Sequence, residues 1–154
     1  MATKSRKAAS KSSSDATLTT TRLTKLAVEV IIPHEKSGEG KLSLSYQMSL
    51  FFPENDEYVI GISLQIKGNG LSNIAELADK TAFTVDAVID GLFALSSKPE
   101  ASEWVGREVY LANYLLPILS DMIETLLSKC EYSGVSLPRS FPNNPAITAS
   151  RAVK

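Results

Sequence analysis

The side chains that perform most enzyme chemistry are sparse in this chain of 154 residues. Its one histidine, His34, follows Pro33 in a predicted loop and has no serine or cysteine motif beside it, as a nucleophilic triad would require. Its one cysteine, Cys130, cannot form an internal disulfide and is typical of a small buried residue. The Gly68-Asn-Gly70 stretch lacks the lysine of a phosphate-binding loop and predicts a turn. We therefore expect no enzyme activity, no metal site and no cofactor.

Charge is unevenly distributed along the chain, although the net charge is only −1. Basic residues dominate both ends, whereas acidic residues outnumber basic ones in the middle. Residues 1–20 offer almost nothing to bury, so the entropy cost of ordering them has no compensation, and prolines interrupt the C-terminal segment. We predict a disordered basic tail over 1–20, a folded domain over 21–141 and a mobile basic tail over 142–154.

The basic N-terminal tail leaves a nucleic-acid-binding function open. Lysines and arginines between Lys4 and Lys11 could neutralise phosphates without sequence preference. However, no aromatic residue lies among them for base stacking, and the body of the chain is acidic, so such binding would be weak. No apolar run approaches the roughly 20 residues of a membrane span, and no secretory signal pattern begins the chain, so we expect a cytoplasmic protein.

Apolar and polar residues alternate over four segments, which predicts strands at about 22–32, 41–52, 58–67 and 83–95. No helix of usual crossover length divides them, so the sheet should be antiparallel. Gly91 interrupts the fourth segment and predicts a bulge that re-aims the residues after it.

Between Ser102 and about Glu131 the apolar period becomes that of a helix, and Pro117 inside it predicts a kink. Two apolar seams run along this helix, whereas covering a single sheet requires one. A second surface, such as another copy of the chain, would bury the other seam, so we predict an oligomer. The candidate interface residues are Val105, Val109, Ala112, Leu116, Leu119 and Ile123.

Four segments in this order resemble the SecB family of protein-export chaperones. Tyr58-Val-Ile-Gly-Ile-Ser-Leu-Gln-Ile66 is similar to the third strand of the family, and residues 81–93, which begin Thr-Ala-Phe, are similar to its fourth. Asn113-Tyr-Leu-Leu-Pro117 resembles the Asn, three apolar residues and Pro of the long family helix. Residues 128–138 resemble the segment that leaves that helix. Together these similarities cover roughly residues 22 to 141.

The resemblance implies an α+β fold, a four-stranded antiparallel sheet followed by a long proline-kinked helix, assembled into a homotetramer as a dimer of dimers. It also implies an ATP-independent holdase that binds unfolded polypeptide clients in apolar grooves, and SecA, the export motor, as a partner. Burial of client segments would contribute roughly 25 cal/mol per Å² before ordering costs are subtracted. A role dedicated to a single client remains open, as in SecB-like chaperones that protect individual antitoxins.

Candidate residues for the client-binding groove are the apolar positions near the first crossover and near the end of the helix. Tyr46 and Phe83 fit a groove and an ordinary core equally well, whereas Phe51 breaks the polar face of its strand and is expected to be exposed. The full set of candidate client-binding residues is Tyr46, Phe51, Phe52, Phe83, Phe93 and Leu137.

Asp86 matches an acidic residue on the outer sheet face that contacts the motor in the family, so it is the candidate for docking a partner. An ordinary solvated carboxylate is the competing interpretation. The acidic residue early in the first family strand has no counterpart in Thr24-Lys25-Leu26-Ala27. A scaffold that assembles but no longer binds clients is the remaining alternative.

Overall fold

The computed structural model describes residues 16–37, 40–72, 74, 80–141 and 147–149. It contains four long strands, one short strand, two short helices and one long helix within those residues. In chain order the elements are β1 Thr17–Val30, α1 His34–Ser37, β2 Gly40–Phe51, β3 Val59–Ser72, β4 Thr81–Ala94, α2 Ala101–Trp104, α3 Glu108–Lys129 and β5 Ile147–Ala149.

The strands form one sheet in the order β1-β4-β3-β2-β5. The first four pair antiparallel, whereas β5 pairs parallel with β2. The chain crosses over after β1, because β1 lies beside β4 instead of β2. The predicted α+β fold, a four-stranded antiparallel sheet followed by a helix, is confirmed.

One face of the sheet packs against α3 and forms the core. On β2 and β3 the even-numbered residues face α3, as in Met48, Ile62 and Leu64, which are fully buried. The buried residues of α3 recur at intervals of three or four positions, as expected for a helix that covers a sheet with one face. Its buried residues are Glu108, Leu111, Ala112, Leu115, Leu116, Leu119, Ser120, Ile123 and Leu127.

Strands enter both of the segments that are predicted as tails. Strand β1 begins at Thr17, and the Thr19 hydroxyl donates a hydrogen bond to the Leu92 carbonyl at 3.1 Å. Threonine favours strands, so a polar threonine run extends an edge strand without needing buried apolar residues. Strand β5 falls in the predicted C-terminal tail. The remaining predicted tail residues, 1–15, 142–146 and 150–154, lie outside the described part of the chain.

The turn predicted at Gly68-Asn-Gly70 is wrong, because β3 continues through these residues to Ser72. Close side-chain contact explains the glycines. A β-carbon on Gly68 would lie 2.8 Å from the Leu44 Cδ2, and one on Gly70 would collide with the ring of Phe83. Glycine here makes room for a neighbour across the sheet instead of turning the chain.

The bulge predicted at Gly91 is also absent from the β3–β4 pairing, which keeps its register there. Gly91 instead lets α3 approach the sheet, because a β-carbon on it would lie 2.7 Å from the Leu115 Cδ2. The register irregularities lie between Leu18 and Thr20 and between Leu23 and Lys25, where β1 pairs with β4, and between Gly70 and Leu71, where β3 pairs with β4.

The single helix predicted over 102–131 is divided into α2 and α3. Gly106 lies between them with φ of 92°, a conformation that favours glycine and cannot continue a right-handed helix. Pro117 lies inside α3, as predicted. The helix ends at Lys129, two residues before Glu131 turns the chain with φ of 68°.

Candidate functional site

A cavity of about 440 Å³ lies where the crossover after β1 meets the segment that follows α3. Strands β2, β3 and β4 supply its floor, and the chain between Tyr132 and Ser136 supplies one wall. Its lining residues are His34, Gly40, Lys41, Leu42, Gly70, Leu71, Ala82, Phe83, Tyr132, Ser133, Gly134, Val135 and Ser136. We call this cavity the crossover groove.

Aromatic rings in tilted and edge-on contact line the inner end of the crossover groove. The Phe83 and Tyr132 ring centroids are 4.7 Å apart, and His34 meets Tyr132 edge-on at 5.2 Å. The Tyr132 hydroxyl donates a hydrogen bond to the Ile32 carbonyl, which links the wall to the crossover. Because Gly70 has no side chain, the Phe83 ring lies against β3. These contacts give the groove a rigid apolar end.

Toward solvent the lining changes character. Leu42 and Val135 are half-buried, while Lys41, Ser133 and Ser136 are exposed. The lining contains no aspartate or glutamate. An apolar end beside small polar residues and exposed backbone suits the side chain of an extended peptide whose main chain remains at the surface.

The segment after the groove wall is fastened to α3 around Glu124. The Leu137 N–H donates to the Glu124 Oε1 at 2.6 Å, and Arg139 contacts the other oxygen of the same carboxylate at 2.6 Å. Arg139 also contacts Asp121 at 2.6 Å, and the Ser120 hydroxyl donates to the Pro138 carbonyl at 2.8 Å. The Arg139 guanidinium and the Leu137 N–H lower the pKa of Glu124.

We expect Glu124→Gln to lower the free energy of unfolding by about 1 kcal/mol, because solvent screens the Arg139 pair and glutamine keeps one acceptor oxygen. Because the pKa of Glu124 is lowered in the folded state, the charged carboxylate stabilises the fold at pH values above the usual pKa of a glutamate. That contribution is lost as the pH falls through the lowered folded-state value.

Urea unfolding of both proteins between neutral pH and pH about 3 checks this, because the two stability curves should converge at acid pH. A constant difference across that range would contradict a role for the Glu124 charge. Glu103→Gln, at an exposed position in α2, is the matched control.

The fold of this chain is similar to that of solved structures, although its sequence is not. Neither the protein-family models nor the curated proteins give a match to this chain. Among solved structures, a SecB-like chaperone of Mycobacterium tuberculosis, Rv1957, in complex with a ChAD peptide from the Rv1956 HigA1 antitoxin, superposes with a TM-score of 0.66. The superposition covers 81% of this chain and 90% of that one, at 13% identity. This chain has the SecB-like fold.

A protein of unknown function from Streptococcus agalactiae superposes with a TM-score of 0.47 at 17% identity, over 80% of this chain and 96% of that one. Within the described part of the chain, no helix is both long and apolar enough to cross a membrane. No group of three His, Cys, Asp or Glu side chains that could hold a metal comes together among the same residues.

On the SecB-like fold the six candidate client-binding residues do not form one site. Only Phe83 lines the crossover groove. Phe93 is fully buried under α3, and Leu137 is buried beside Glu124. Tyr46 is buried on β2, where Phe141 meets it edge-on at 5.0 Å.

Phe51 and Phe52 lie elsewhere in the SecB-like fold. Phe51 is half-buried over Gly61 on the face of the sheet away from α3, and Phe52 is half-buried in a separate cavity beside Glu54 and Asp56. The exposure expected for Phe51 is therefore only partial. Client binding by all six residues stays a prediction.

The sequence interpretation did not assign the groove residues His34, Leu42, Tyr132 and Val135 to the site. Their positions depend on the crossover, which brings residues far apart in the chain together. The resemblance over residues 128–138 was the available signal, because it marked Tyr132 and Val135 as part of a distinct segment.

Asp86 is engaged by its own sheet. The Lys25 Nζ contacts its Oδ2 at 2.6 Å, and the Gln65 amide donates to its Oδ1 at 2.9 Å. The hydrogen bond from Lys25 lowers the pKa of Asp86. Lys25 belongs to the Thr24–Ala27 stretch, where the SecB family has an acidic residue. The face of the sheet away from α3 therefore carries a lysine–aspartate pair. Docking through Asp86 stays a prediction.

The six candidate interface residues divide into two groups. Ala112, Leu116, Leu119 and Ile123 are fully buried against the chain's own sheet, which accounts for their apolar character without a second copy. Val105 and Val109 are half-buried. The assignment of all six to an interface between copies stays a prediction.

A second apolar surface lies beside the buried face of α3. A cavity of about 320 Å³ between β1 and α3 is lined by Leu26, Asp121, Met122, Thr125, Leu126 and Lys129. Leu23 on β1 and Tyr114 on α3 are 41% and 44% exposed. We call this surface the β1–α3 face.

Proposed function

We propose that this protein is an ATP-independent, non-enzymatic chaperone that holds unfolded polypeptides by binding their extended apolar segments in the crossover groove. The observation that carries the proposal is the rigid aromatic end of that groove, formed by Phe83, Tyr132 and His34, on a SecB-like fold. The structural neighbour Rv1957 is a SecB-like chaperone in complex with a peptide, which supports polypeptide as the ligand class.

The composition of the groove favours tolerance of sequence over strict selection. Glycines at positions 40 and 134 and serines at 133 and 136 are exposed and leave backbone near the surface, where a client main chain can hydrogen-bond. The apolar end gains affinity from any large apolar side chain, at roughly 25 cal/mol per Å² buried. Lys41 is the one permanently charged side chain in the lining, so charge contributes little to selection there.

We further propose that the chain works as a cytoplasmic homotetramer, with copies meeting through the β1–α3 face. That face combines an edge strand of the sheet with exposed apolar side chains, and monomeric proteins seldom leave such a combination uncovered. Delivery to the SecA motor and protection of one dedicated client are both compatible with a holdase. The Lys25–Asp86 pair favours the dedicated client, because it neutralises the carboxylate proposed to dock the motor.

The test is light scattering from a reduced, unfolded secretory precursor as it refolds, with this protein added from substoichiometric amounts to an excess and without nucleotide. We expect suppression of aggregation that saturates near one assembly per client. An unfolded antitoxin-like protein is the second client, because suppression restricted to it would indicate a dedicated role. Failure with both clients, by a folded and oligomeric protein, would overturn the chaperone proposal in favour of a scaffold.

A further inference from the structure

Strand β5 occupies the outer edge of the sheet. Its residues Ile147, Thr148 and Ala149 pair parallel with Tyr46, Gln47 and Met48 of β2. Phe141 directs the chain toward this edge, because its N–H donates to the Asn113 Oδ1 at 3.3 Å and its ring packs on Tyr46. The C-terminal segment thus adds a strand to the chain's own sheet.

This edge continues from the crossover groove. Lys41 and Leu42 of β2 line the groove, and Tyr46 lies four residues further along the same strand, about 13 Å away at 3.3 Å per residue. An extended polypeptide that leaves the groove along β2 would therefore reach the backbone groups that pair with β5.

The β5 pairing is the weakest in the sheet. It joins three residue pairs, whereas β2 and β3 pair along the whole of β2 from Gly40 to Phe51. It is also parallel, an arrangement slightly less stable per residue than the antiparallel one. Each backbone hydrogen bond contributes only about 0.5–1.5 kcal/mol net. Another strand can therefore displace β5 without unfolding the rest of the sheet.

We propose that β5 is a built-in competitor, an intramolecular strand that occupies the β2 edge and is displaced when an extended polypeptide binds. This inference rests on the proposed chaperone function. It makes the C-terminal segment a regulator of affinity, because a client binds only the fraction of molecules whose β2 edge is free. Only segments that offer both an apolar side chain for the groove and an extended main chain for the edge would displace it efficiently.

A reversible crosslink tests the proposal in the intact 154-residue chain. Gln47 and Thr148 are paired residues, and neighbouring strands lie about 4.8 Å apart, within the range that a disulfide spans. Gln47→Cys/Thr148→Cys is made together with Cys130→Ala. Binding of a fluorescein-labelled, unstructured peptide, with leucine and phenylalanine spaced among serine and glutamine, is measured before and after reduction. We expect the oxidised protein to bind at least about 10-fold more weakly than the reduced one, since its edge is never free.

A second variant shifts the competition the other way. Thr148→Pro/Ala149→Pro must remove one N–H that faces β2, because successive N–H groups of a strand point to opposite sides. We expect about 3- to 10-fold tighter peptide binding, which corresponds to an edge that is occupied most of the time in the parent. Amide exchange at Tyr46–Met48 should be faster in this variant, which reports the release of β5 without any client.

The outcomes separate this inference from the function on which it rests. If the parent and the proline variant both fail to bind the peptide, the chaperone proposal fails and the competitor role fails with it. If all proteins bind with equal affinity, the chaperone proposal stands and the competitor role is overturned. Gln47→Cys/Cys130→Ala, which cannot crosslink to β5, should be insensitive to oxidation.

Discussion

Leu119→Glu is expected to remove most or all of the stability of the fold at any protein concentration. Leu119 is fully buried at the centre of α3, where it faces the sheet. Loss of its packing costs about 2–5 kcal/mol, and a buried carboxylate without a partner costs several kcal/mol more. A domain of this size is stable by about 5–15 kcal/mol, so the combined loss removes most or all of its stability. Far-UV circular dichroism and urea unfolding measure the effect.

Leu126→Glu is the matched control, because it makes the same substitution seven residues further along the same helix. Leu126 is half-buried and lines the β1–α3 face opposite Leu26. A glutamate there can reach solvent in a single chain, so we expect the fold to survive while any assembly through this face dissociates. Light scattering coupled to gel filtration gives the mass. A folded and assembled Leu119→Glu protein would contradict the position of α3, and a tetrameric Leu126→Glu protein would contradict assembly through the β1–α3 face.

The strands of this fold could be read from the sequence wherever one face alone is buried. In β2, apolar residues alternate with Ser43, Ser45, Gln47 and Ser49, and a shift of one residue would bury that polar set, so the pattern determines the register. The prediction failed where a glycine had more than one explanation. Gly70 and Gly91 make room for Phe83 and Leu115, and that requirement comes from tertiary contacts that no local pattern reveals.

The candidate site was harder to predict than the fold because it depends on the crossover. Phe83 was identified, but Tyr132 reaches it, and His34 reaches Tyr132, only after β1 has crossed to β4 and the chain after α3 has returned. The criterion of apolar positions near the crossover and the end of the helix also selected Phe93, which the core requires. The β5 pairing involves a segment with too little apolar content to indicate a strand, and the free edge of β2 explains it better than propensity does.

Val135→Asp is expected to weaken peptide binding by at least about 10-fold, or 1.4 kcal/mol, while leaving the fold intact. Val135 is half-buried on the wall of the crossover groove, between Gly134 and Ser136, so an aspartate there remains hydrated in the free protein. When an apolar client segment covers the wall, that carboxylate loses water, and the exposed Lys41 of the lining offsets little of the loss because solvent screens its charge. Val135 also packs against the core, so the change costs the free protein some packing, but it penalises the bound state more. Fluorescence anisotropy with the labelled peptide measures the affinity.

Two further variants establish the cause of that loss. Val135→Asn has the size of aspartate without its charge, so it should lose less affinity, and the difference between the two is the cost of desolvating the charge. Val88→Asp makes the same substitution at a half-buried position on the opposite face of the sheet and should bind the peptide as the parent does. Equal losses at Val88 and Val135 would point to general destabilisation instead of the groove. An unchanged affinity at Val135 would place the peptide elsewhere on the molecule, since an extended segment whose apolar side chain reaches Phe83 must pass this wall.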